Sequence, residues 1–313
     1  MEDHLFKVSF SSLMKKILVI TSFVFMVVTL SSCKSDNVTT QISNSFSNSS
    51  SESEEESTQS TTSSDLSYDQ VNHIQEYLNI FQEQDIGIFI EKIDSKETFR
   101  INEEQVFYGA SIAKLPIILY TQEAIKNGSI QEETPLTYLD EVNDVPGAMI
   151  RGGTGVMQYQ IEQQATYTVG LLLEWTITHS DNLASNTLSY YVGHQNNQDF
   201  VKAMDTYYTF EQKEFTKNMN AHTAANLMKA IYDNQIGVDY FLETEWAREK
   251  IGVLEKDVYH KIGTNEGFNH DVAIVSGDTP YVLSILTEDF SNDEIEAIAK
   301  EIDRLIEEES SSE

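Results

Sequence analysis

Apolar and polar residues alternate with two distinct periods between residues 68 and 307, and this pattern predicts a mixed α/β domain. Helical spacing of the apolar residues predicts helices around 71–81 and at 111–126, 169–178, 182–192, 198–206, 221–234 and 293–307. Alternation typical of strands covers 86–93, 98–106, 258–262, 271–276 and 281–288. Since strands lie at both ends of the domain, we expect one antiparallel sheet built from both ends, flanked by helices, with a helical insert. This is an α/β fold of the α+β type.

The amino-terminal residues 1–32 have the pattern of a secretory signal peptide, with Met14 as an alternative start. Lys15 and Lys16 precede an apolar run at 17–30, which is short for a membrane span but matches the core of a secretory signal. The small residues that lead into Cys33 resemble the bacterial lipobox, in which a diacylglycerol is attached to the thiol. We therefore expect a lipoprotein anchored to the outer face of a bacterial cell membrane. An ordinary signal peptide with an incidental cysteine is the alternative.

Residues 33–67 are almost entirely Ser, Thr, Asn, Gln and Glu, and they predict a disordered tether between Cys33 and the domain. Residues 308–313 form a short acidic tail. These two tracts carry −8 of the formal charge of −31. Only 20 basic residues stand against 51 acidic ones, which excludes a nucleic-acid partner because phosphate binding needs a Lys/Arg-rich face.

The segment Ser111-Ile112-Ala113-Lys114 opens the helix predicted after the first two strands. Serine and lysine three positions apart lie on one helix face, so the amine can approach the hydroxyl. A serine hydroxyl needs a neighbouring base, and a lysine serves when burial or nearby cations lower its pKa. The helix N-terminus adds partial positive charge for a reacting carbonyl oxygen. We expect Pro116, in the first turns of this helix, to cost local stability by removing a backbone donor.

Two further stretches carry polar residues in apolar surroundings. Ser180-Asp181-Asn182 follows the apolar helix at 169–178, and its simpler interpretation is a helix N-cap. Lys261-Ile262-Gly263-Thr264 lies on a predicted strand, and its simpler interpretation is an exposed lysine beside a glycine at an edge or bulge. Each stretch is weak evidence on its own, whereas the ordered set is specific.

Together, and in this order, the three stretches resemble the signature of class A β-lactamases and penicillin-recognising D,D-peptidases. The resemblance covers essentially the whole folded part and includes the Gly-rich approach at 152–155. It implies acyl transfer without a metal or any other cofactor. By position, Ser111 would attack an amide or lactam carbonyl, and Lys114 would accept its proton. Ser180 would pass a proton between Lys114 and the leaving nitrogen.

The same resemblance implies the substrate-binding residues. Asn182 would hold the catalytic lysine and the substrate's side-chain amide. Lys261 would supply positive potential for the substrate carboxylate, and Gly263 would keep the strand open enough for substrate to lie against it. The backbone N–H groups of Ser111 and Thr264 would form the oxyanion hole.

Two positions depart from the family's pattern. Ile262 stands where the family has a hydroxyl residue, and Thr264, on the same face of the strand, would supply that hydroxyl instead. After the second motif, class A β-lactamases carry a loop whose Glu and Asn position the hydrolytic water, and the Glu-x-x-Leu-Asn stretch of that loop is missing here. Glu214 and Asn218 have the right separation and are the remaining candidates. Acylation is therefore better supported than rapid deacylation.

We expect a serine hydrolase of the class A β-lactamase type that acts on β-lactams or on acyl-D-Ala stem peptides of peptidoglycan. A penicillin-binding lipoprotein with little turnover and a D,D-carboxypeptidase are the alternatives. His179 and His260 each precede a motif, but no spacing among the histidines resembles a metal-ligand set. The oligomeric state is left open.

Overall fold

The computed structural model describes residues 72–160, 164–194, 197–211 and 216–311. Its helices, α1 to α7 in chain order, are His73–Asn79, Leu115–Lys126, Val169–Thr178, Asn182–Leu188, Asn197–Met204, Ala221–Asn234 and Asn292–Ser310. Its strands, β1 to β9, are Ile86–Lys92, Thr98–Ile101, Phe107–Tyr108, Pro135–Thr137, Thr166–Thr168, Asn218–Met219, Val258–Asn265, Phe268–Val275 and Tyr281–Glu288. Short 3-10 helices lie at Ala110–Lys114, Asp140–Asp144, Met157–Tyr159, Val238–Phe241 and Lys250–Val253, and a π-helical turn lies at Ser189–Gly193.

The central element is a five-stranded sheet with the order β2-β1-β9-β8-β7, in which all neighbouring strands are antiparallel. Strands from the two ends of the domain meet where β1 pairs with β9, with Ile88 opposite Ile285. Helices α2 to α6 are inserted between β2 and β7. The predicted α+β fold is therefore confirmed. Strand β7 is an edge of the sheet, so one of its sides is free to meet other parts of the chain.

Two hydrophobic cores lie on opposite faces of this sheet, because successive side chains of a strand point to opposite faces. On β1, Ile88 and Ile90 belong to the core formed with α1 and α7, whereas Phe89 belongs to the core formed with the inserted helices. Helix α7 contributes the apolar stripe predicted for it, which is Ile295, Ile298, Ile302 and Ile306. The sheet thus separates a terminal layer from the helical layer that carries most of the candidate site.

The strand predicted at 98–106 ends early, at Ile101. Asn102 has a φ of 47°, in the left-handed region, and its side-chain amide donates to the backbone carbonyls of Phe81 and Gln82 at 3.3 and 3.2 Å. Asparagine tolerates this conformation better than most residues. The chain therefore turns here and resumes as the short strand β3.

The expectation that Pro116 costs stability is wrong. Helix α2 begins at Leu115, one residue before the proline, and Ser111 to Lys114 form a separate 3-10 turn. Proline is well tolerated in the first turn of a helix, because N–H groups there have no intrahelical acceptor and its φ is already helical.

The signal peptide, Cys33 and the tether all lie outside the described residues, so export and lipid anchoring stay predictions. Helix α7 continues to Ser310, three residues into the segment predicted as an acidic tail. No helix in the described part of the chain is long and apolar enough to cross a membrane.

Candidate active site

The Ser111 segment is a 3-10 turn that packs against the edge of the sheet. Ala110 has a φ of 45°, which is unusual for a residue with a side chain and marks local strain directly before the serine. Gly109 donates its N–H to the carbonyl of Lys217 at 2.7 Å, which ties the turn to the strand pair β3–β6. In a 3-10 helix, side chains three positions apart lie directly above one another, which aligns Ser111 with Lys114.

Lys114 is the centre of the site. Its Nζ lies 3.0 Å from Ser111 Oγ, 3.2 Å from Ser180 Oγ, 2.6 Å from the Ser180 carbonyl and 2.7 Å from Asn182 Oδ1. The side chain is fully buried. The two hydroxyl groups are thus within hydrogen-bond distance of one amine, which is the geometry that a proton transfer between them needs.

Ser180 and Asn182 are positioned by the junction between α3 and α4. Ser180 has a φ of 48°, a second left-handed residue in the site. The next residue, Asp181, is the N-cap of α4 and accepts hydrogen bonds from the N–H groups of Leu183 and Ala184. The N-cap interpretation of this stretch therefore holds for Asp181, while its neighbours face the lysine. Asn182 also donates to the Ile150 carbonyl at 2.8 Å, which orients its amide oxygen toward Lys114.

Lys261 approaches the same point from strand β7. Its Nζ donates to Ser180 Oγ at 2.7 Å, and the side chain is 1% exposed. The expectation of an exposed lysine, the simpler interpretation of this motif, is wrong. Ser180 therefore lies between two amines, Lys114 on one side and Lys261 on the other.

Burial and nearby cations lower the pKa of both lysines. Burial holds the pKa of Lys114 well below its usual range, and the charge of Lys261 lowers this pKa further. Burial also lowers the pKa of Lys261, to about 7, against the raising effect of Asp271. Both shifts favour the neutral form of the amine, and the stronger one lies on Lys114, the lysine beside Ser111.

Thr264 and Ile262 lie on one face of β7, as their spacing predicts. The Thr264 hydroxyl lies 3.2 Å from Lys250 Nζ and 3.3 Å from Asn269 Oδ1, whereas Ile262 is buried. Lys250, which also donates to the His270 carbonyl, has no motif in the sequence around it. Only its placement on Thr264 reveals it as a residue of the site, and this is why the sequence analysis missed it.

None of the other predicted residues that the structure describes is hydrogen-bonded to Lys114. Glu214 is outside the described residues. Asn218 is an exposed residue of the β3–β6 pair, opposite Tyr108. His179 Nδ1 lies 2.8 Å from the Glu245 carboxylate, and the buried His260 contacts both carboxylate oxygens of Asp271 at 3.1 Å.

Gly263 lets strand β7 approach the Ser111 turn. A Cβ atom at this position would lie 2.8 Å from the Gly109 carbonyl oxygen and 2.9 Å from Ile112 Cγ1, closer than such contacts allow. The structural need for glycine is thus packing against the nucleophile's segment, a different reason from the open strand that we expected for substrate.

We expect Gly263→Ala to displace the Ser111 turn, because the added methyl group meets backbone atoms that cannot move independently. The predicted cost is about 1–3 kcal/mol of unfolding free energy, together with slower reaction at Ser111. Thermal denaturation and a covalent probe of the serine measure the two effects. Gly267→Ala is the matched control, since the nearest atom there is the flexible Asp289 carboxylate. Equal stability and reactivity of both variants would contradict the packing argument.

The fold and the site together define the class of protein, an α/β domain in which a serine hydroxyl lies beside a buried lysine. The chain belongs to the beta-lactamase enzyme family, whose sequence model matches residues 70–309. No curated protein sequence matches the chain.

Solved structures share the fold at low sequence identity. PBP-A is 18% identical, with a TM-score of 0.63 over 78% of this chain and 97% of that one. A β-lactamase from Sphaerobacter thermophilus is 20% identical, with a TM-score of 0.57 over 71% of this chain and 89% of that one. An ancestral class A β-lactamase is 16% identical, with a TM-score of 0.60 over 75% and 99% of the two chains. At these identities the likeness shows the fold alone.

Proposed function

We propose that this protein is a serine hydrolase of the β-lactamase type, which forms an acyl-enzyme on Ser111 with β-lactams or with acyl-D-Ala peptides of peptidoglycan. The observation that carries the proposal is the distance of 3.0 Å between Ser111 Oγ and the buried Lys114 Nζ. Family membership supports it. A mutant of PBP-A with the same fold has been solved as an acyl-enzyme complex with penicillin G, and this supports a β-lactam as one substrate.

In the acylation step, Ser111 Oγ forms a bond to the substrate carbonyl carbon while its proton passes to the neutral amine of Lys114. The carbonyl electron pair moves onto oxygen, and the N–H groups of Ser111 and Thr264 would stabilise this negative charge. When the carbonyl re-forms, the C–N bond breaks. The leaving nitrogen takes the proton of Ser180 Oγ, and Lys114, 3.2 Å away, returns its proton to Ser180.

Positive charge on one side of the cleft favours a substrate that bears a carboxylate. Lys261 is the nearest cation to Ser180, and Lys250 holds the Thr264 hydroxyl. When it is charged, the Lys261 amine can bind a carboxylate by a charge-assisted hydrogen bond. β-Lactam antibiotics and D-Ala-terminated peptides both carry such a group.

A second candidate function, a penicillin-binding protein with little turnover, is favoured by the pocket beside the Ser111 turn. Among the described residues, the side chains that line this pocket are uncharged, and they are Ala113, Pro116, Ile117, Gly147, Met149, Ser185, Asn186, Ser189, Phe200, Tyr208 and Thr216. None of these lining side chains could therefore act as a carboxylate base for a water molecule in the pocket. If Glu214, which lies outside the described residues, does not supply the base, a long-lived acyl-enzyme is the expected consequence.

A fluorescent penicillin tests the acyl-enzyme directly. We expect it to label the purified domain covalently at Ser111 and to leave Ser111→Ala unlabelled. Hydrolysis of a chromogenic cephalosporin then separates the candidates, because a stoichiometric burst indicates a binding protein and steady turnover indicates a β-lactamase. Release of D-alanine from a stem-peptide mimic would indicate a D,D-carboxypeptidase. Absence of labelling at high probe concentration would overturn the proposal.

The two lysines should make the acylation rate and the substrate affinity depend on pH in opposite directions. Lys114 acts as a base only when neutral, so the limiting acylation rate should fall at low pH as its amine becomes protonated. Lys261 binds a carboxylate only when charged, so affinity should fall as pH rises through about 7, the value to which burial lowers its pKa. Acylation kinetics measured across this range separate rate from affinity. Lys261→Arg, which stays charged, should retain affinity at high pH, and a flat affinity in the unmodified protein would contradict this assignment.

A further inference from the structure

The segment 244–250 connects the two motifs that face Ser111 from opposite sides. Its Glu245 carboxylate pairs with His179, the residue before Ser180, at 2.8 Å. Its Thr244 hydroxyl lies 3.4 Å from Nε2 of His260, the residue before Lys261. These two consecutive residues therefore anchor the start of the segment beside the second and the third motif at once.

Trp246 lies directly after these anchors and faces the third motif. The centre of its ring is 5.9 Å from Lys261 Nζ, within range of a cation–π contact, and the side chain is only partly buried. Lys261 itself is 1% exposed and donates one N–H to Ser180 Oγ. Four residues further along the same segment, Lys250 reaches Thr264. The segment thus supplies an aromatic ring beside Lys261 and an ammonium beside Thr264, whose side chains leave β7 on opposite faces.

We propose that Trp246 is a substrate-contacting residue that determines specificity, with its ring packed against the part of the substrate that bears the carboxylate. This inference rests on the proposed function. A carboxylate paired with Lys261 lies beside the ring, because the ring covers that ammonium. The atoms next to the carboxylate then bury apolar surface on a large, rigid side chain, and aromatic side chains gain most from such burial.

The chemistry of this contact selects among β-lactams. In penicillins and cephalosporins the carboxylate stands on a second ring fused to the lactam, and this ring would lie against Trp246. In a monobactam the anionic group is attached directly to the lactam nitrogen, so there is no second ring to pack. Trp246 therefore favours bicyclic over monocyclic substrates.

Intrinsic fluorescence provides a direct test, because the chain contains two tryptophans, Trp175 and Trp246. Trp175→Phe leaves Trp246 as the sole reporter, and Ser111→Ala prevents acylation during a titration with benzylpenicillin. We expect a saturable change in emission from this double variant. The matched protein with Trp246→Phe and Ser111→Ala, which retains Trp175 beside Tyr167, should show no change.

Acylation kinetics in the protein that retains Ser111 provide the second test. Trp246→Ala should raise the half-saturating concentration of benzylpenicillin about tenfold, with a small change in the limiting rate, and should affect a monobactam much less. Trp246→Phe should restore most of the affinity. A purely structural residue would instead change the melting temperature and affect both substrates alike.

Two results would overturn the assignment of Trp246: no change in tryptophan emission during the titration, or equal effects of Trp246→Ala on the two substrate types. Both count against Trp246 alone when the fluorescent penicillin still labels Ser111. If the fluorescent penicillin did not label the unmodified protein, the proposed function and this inference would both be overturned. The labelling experiment therefore distinguishes the two failures.

Discussion

Replacing Lys114 by methionine should slow acylation of Ser111 by about a thousandfold, the range that a general base contributes. Methionine has a similar length but cannot accept a proton, and the serine then has no base within reach among the described residues. Since Lys114 is fully buried and its pKa is held well below its usual range, removing the amine also removes a desolvated polar group. The buried Ser180 carbonyl and Asn182 Oδ1 lose this donor, so we expect a stability loss of about 1–3 kcal/mol beside the large loss of reactivity. Stopped-flow acylation with a fluorescent penicillin measures the rate, and thermal denaturation measures the fold.

Lys126→Met is the matched control, because Lys126 is an exposed residue at the other end of helix α2 and bonds only to Asn234 among the partners that the structure describes. It should acylate at the unmodified rate. A Lys114→Met protein that reacts within a factor of about ten of the unmodified protein would rule out Lys114 as the principal base, since that loss is below the range for general-base catalysis.

Replacing Asp181 by alanine should cause the largest loss of stability among single changes near the site. Its carboxylate is 1% exposed and accepts three backbone N–H groups, from Leu183 at 2.9 Å, Ala184 at 3.0 Å and Met157 at 2.7 Å. Alanine leaves these donors buried without acceptors. The expected cost is about 3 kcal/mol, from the lost N-cap and the unsatisfied N–H of Met157. For a domain of this size the melting temperature should fall by about 6–12 °C.

Asp181→Asn keeps one oxygen acceptor, so its loss should be intermediate. Thr168→Ala removes the N-cap of α3. Since the Thr168 side chain is exposed and makes no bond to the site, the expected loss of stability is about 1 kcal/mol. If Asp181→Ala unfolded at the same temperature as Thr168→Ala, the carboxylate would not be the support for α4 that its contacts indicate. Slower labelling of Ser111 should accompany the loss, because α4 carries Asn182 onto Lys114.

The helices and strands were predicted well where one period persists over several turns. Helix 169–178 matches α3 and helix 221–234 matches α6, because apolar spacing and a capping residue coincide at both. The strand predicted at 98–106 was too long, since the turn at Asn102 depends on carbonyl groups of the turn that follows helix α1 and not on neighbouring residues. Strand β7 continues past 262 to Asn265, because its pairing with β8 extends to Phe268.

The candidate site was accessible from the sequence only as three separate stretches. Lys114 contacts Ser180 across 66 positions, and Lys261 contacts it across 81. Sequence patterns identify the residue types, while the distances between them depend on how the sheet edge and the helical layer pack. Trp246 and Lys250 belong to no motif, so only the folded segment reveals that both face the third one.

The sequence by itself determined the residue chemistry and the order of the elements, because helix period, strand alternation and capping all act within a few residues. It also determined that a serine and a lysine share one turn. The tertiary structure alone decided that Lys261 is buried against Ser180, that Gly263 is needed for close packing, and which residues join the carboxylate side. Burial and long-range contact set these features, and both arise only when distant parts of the chain pack together.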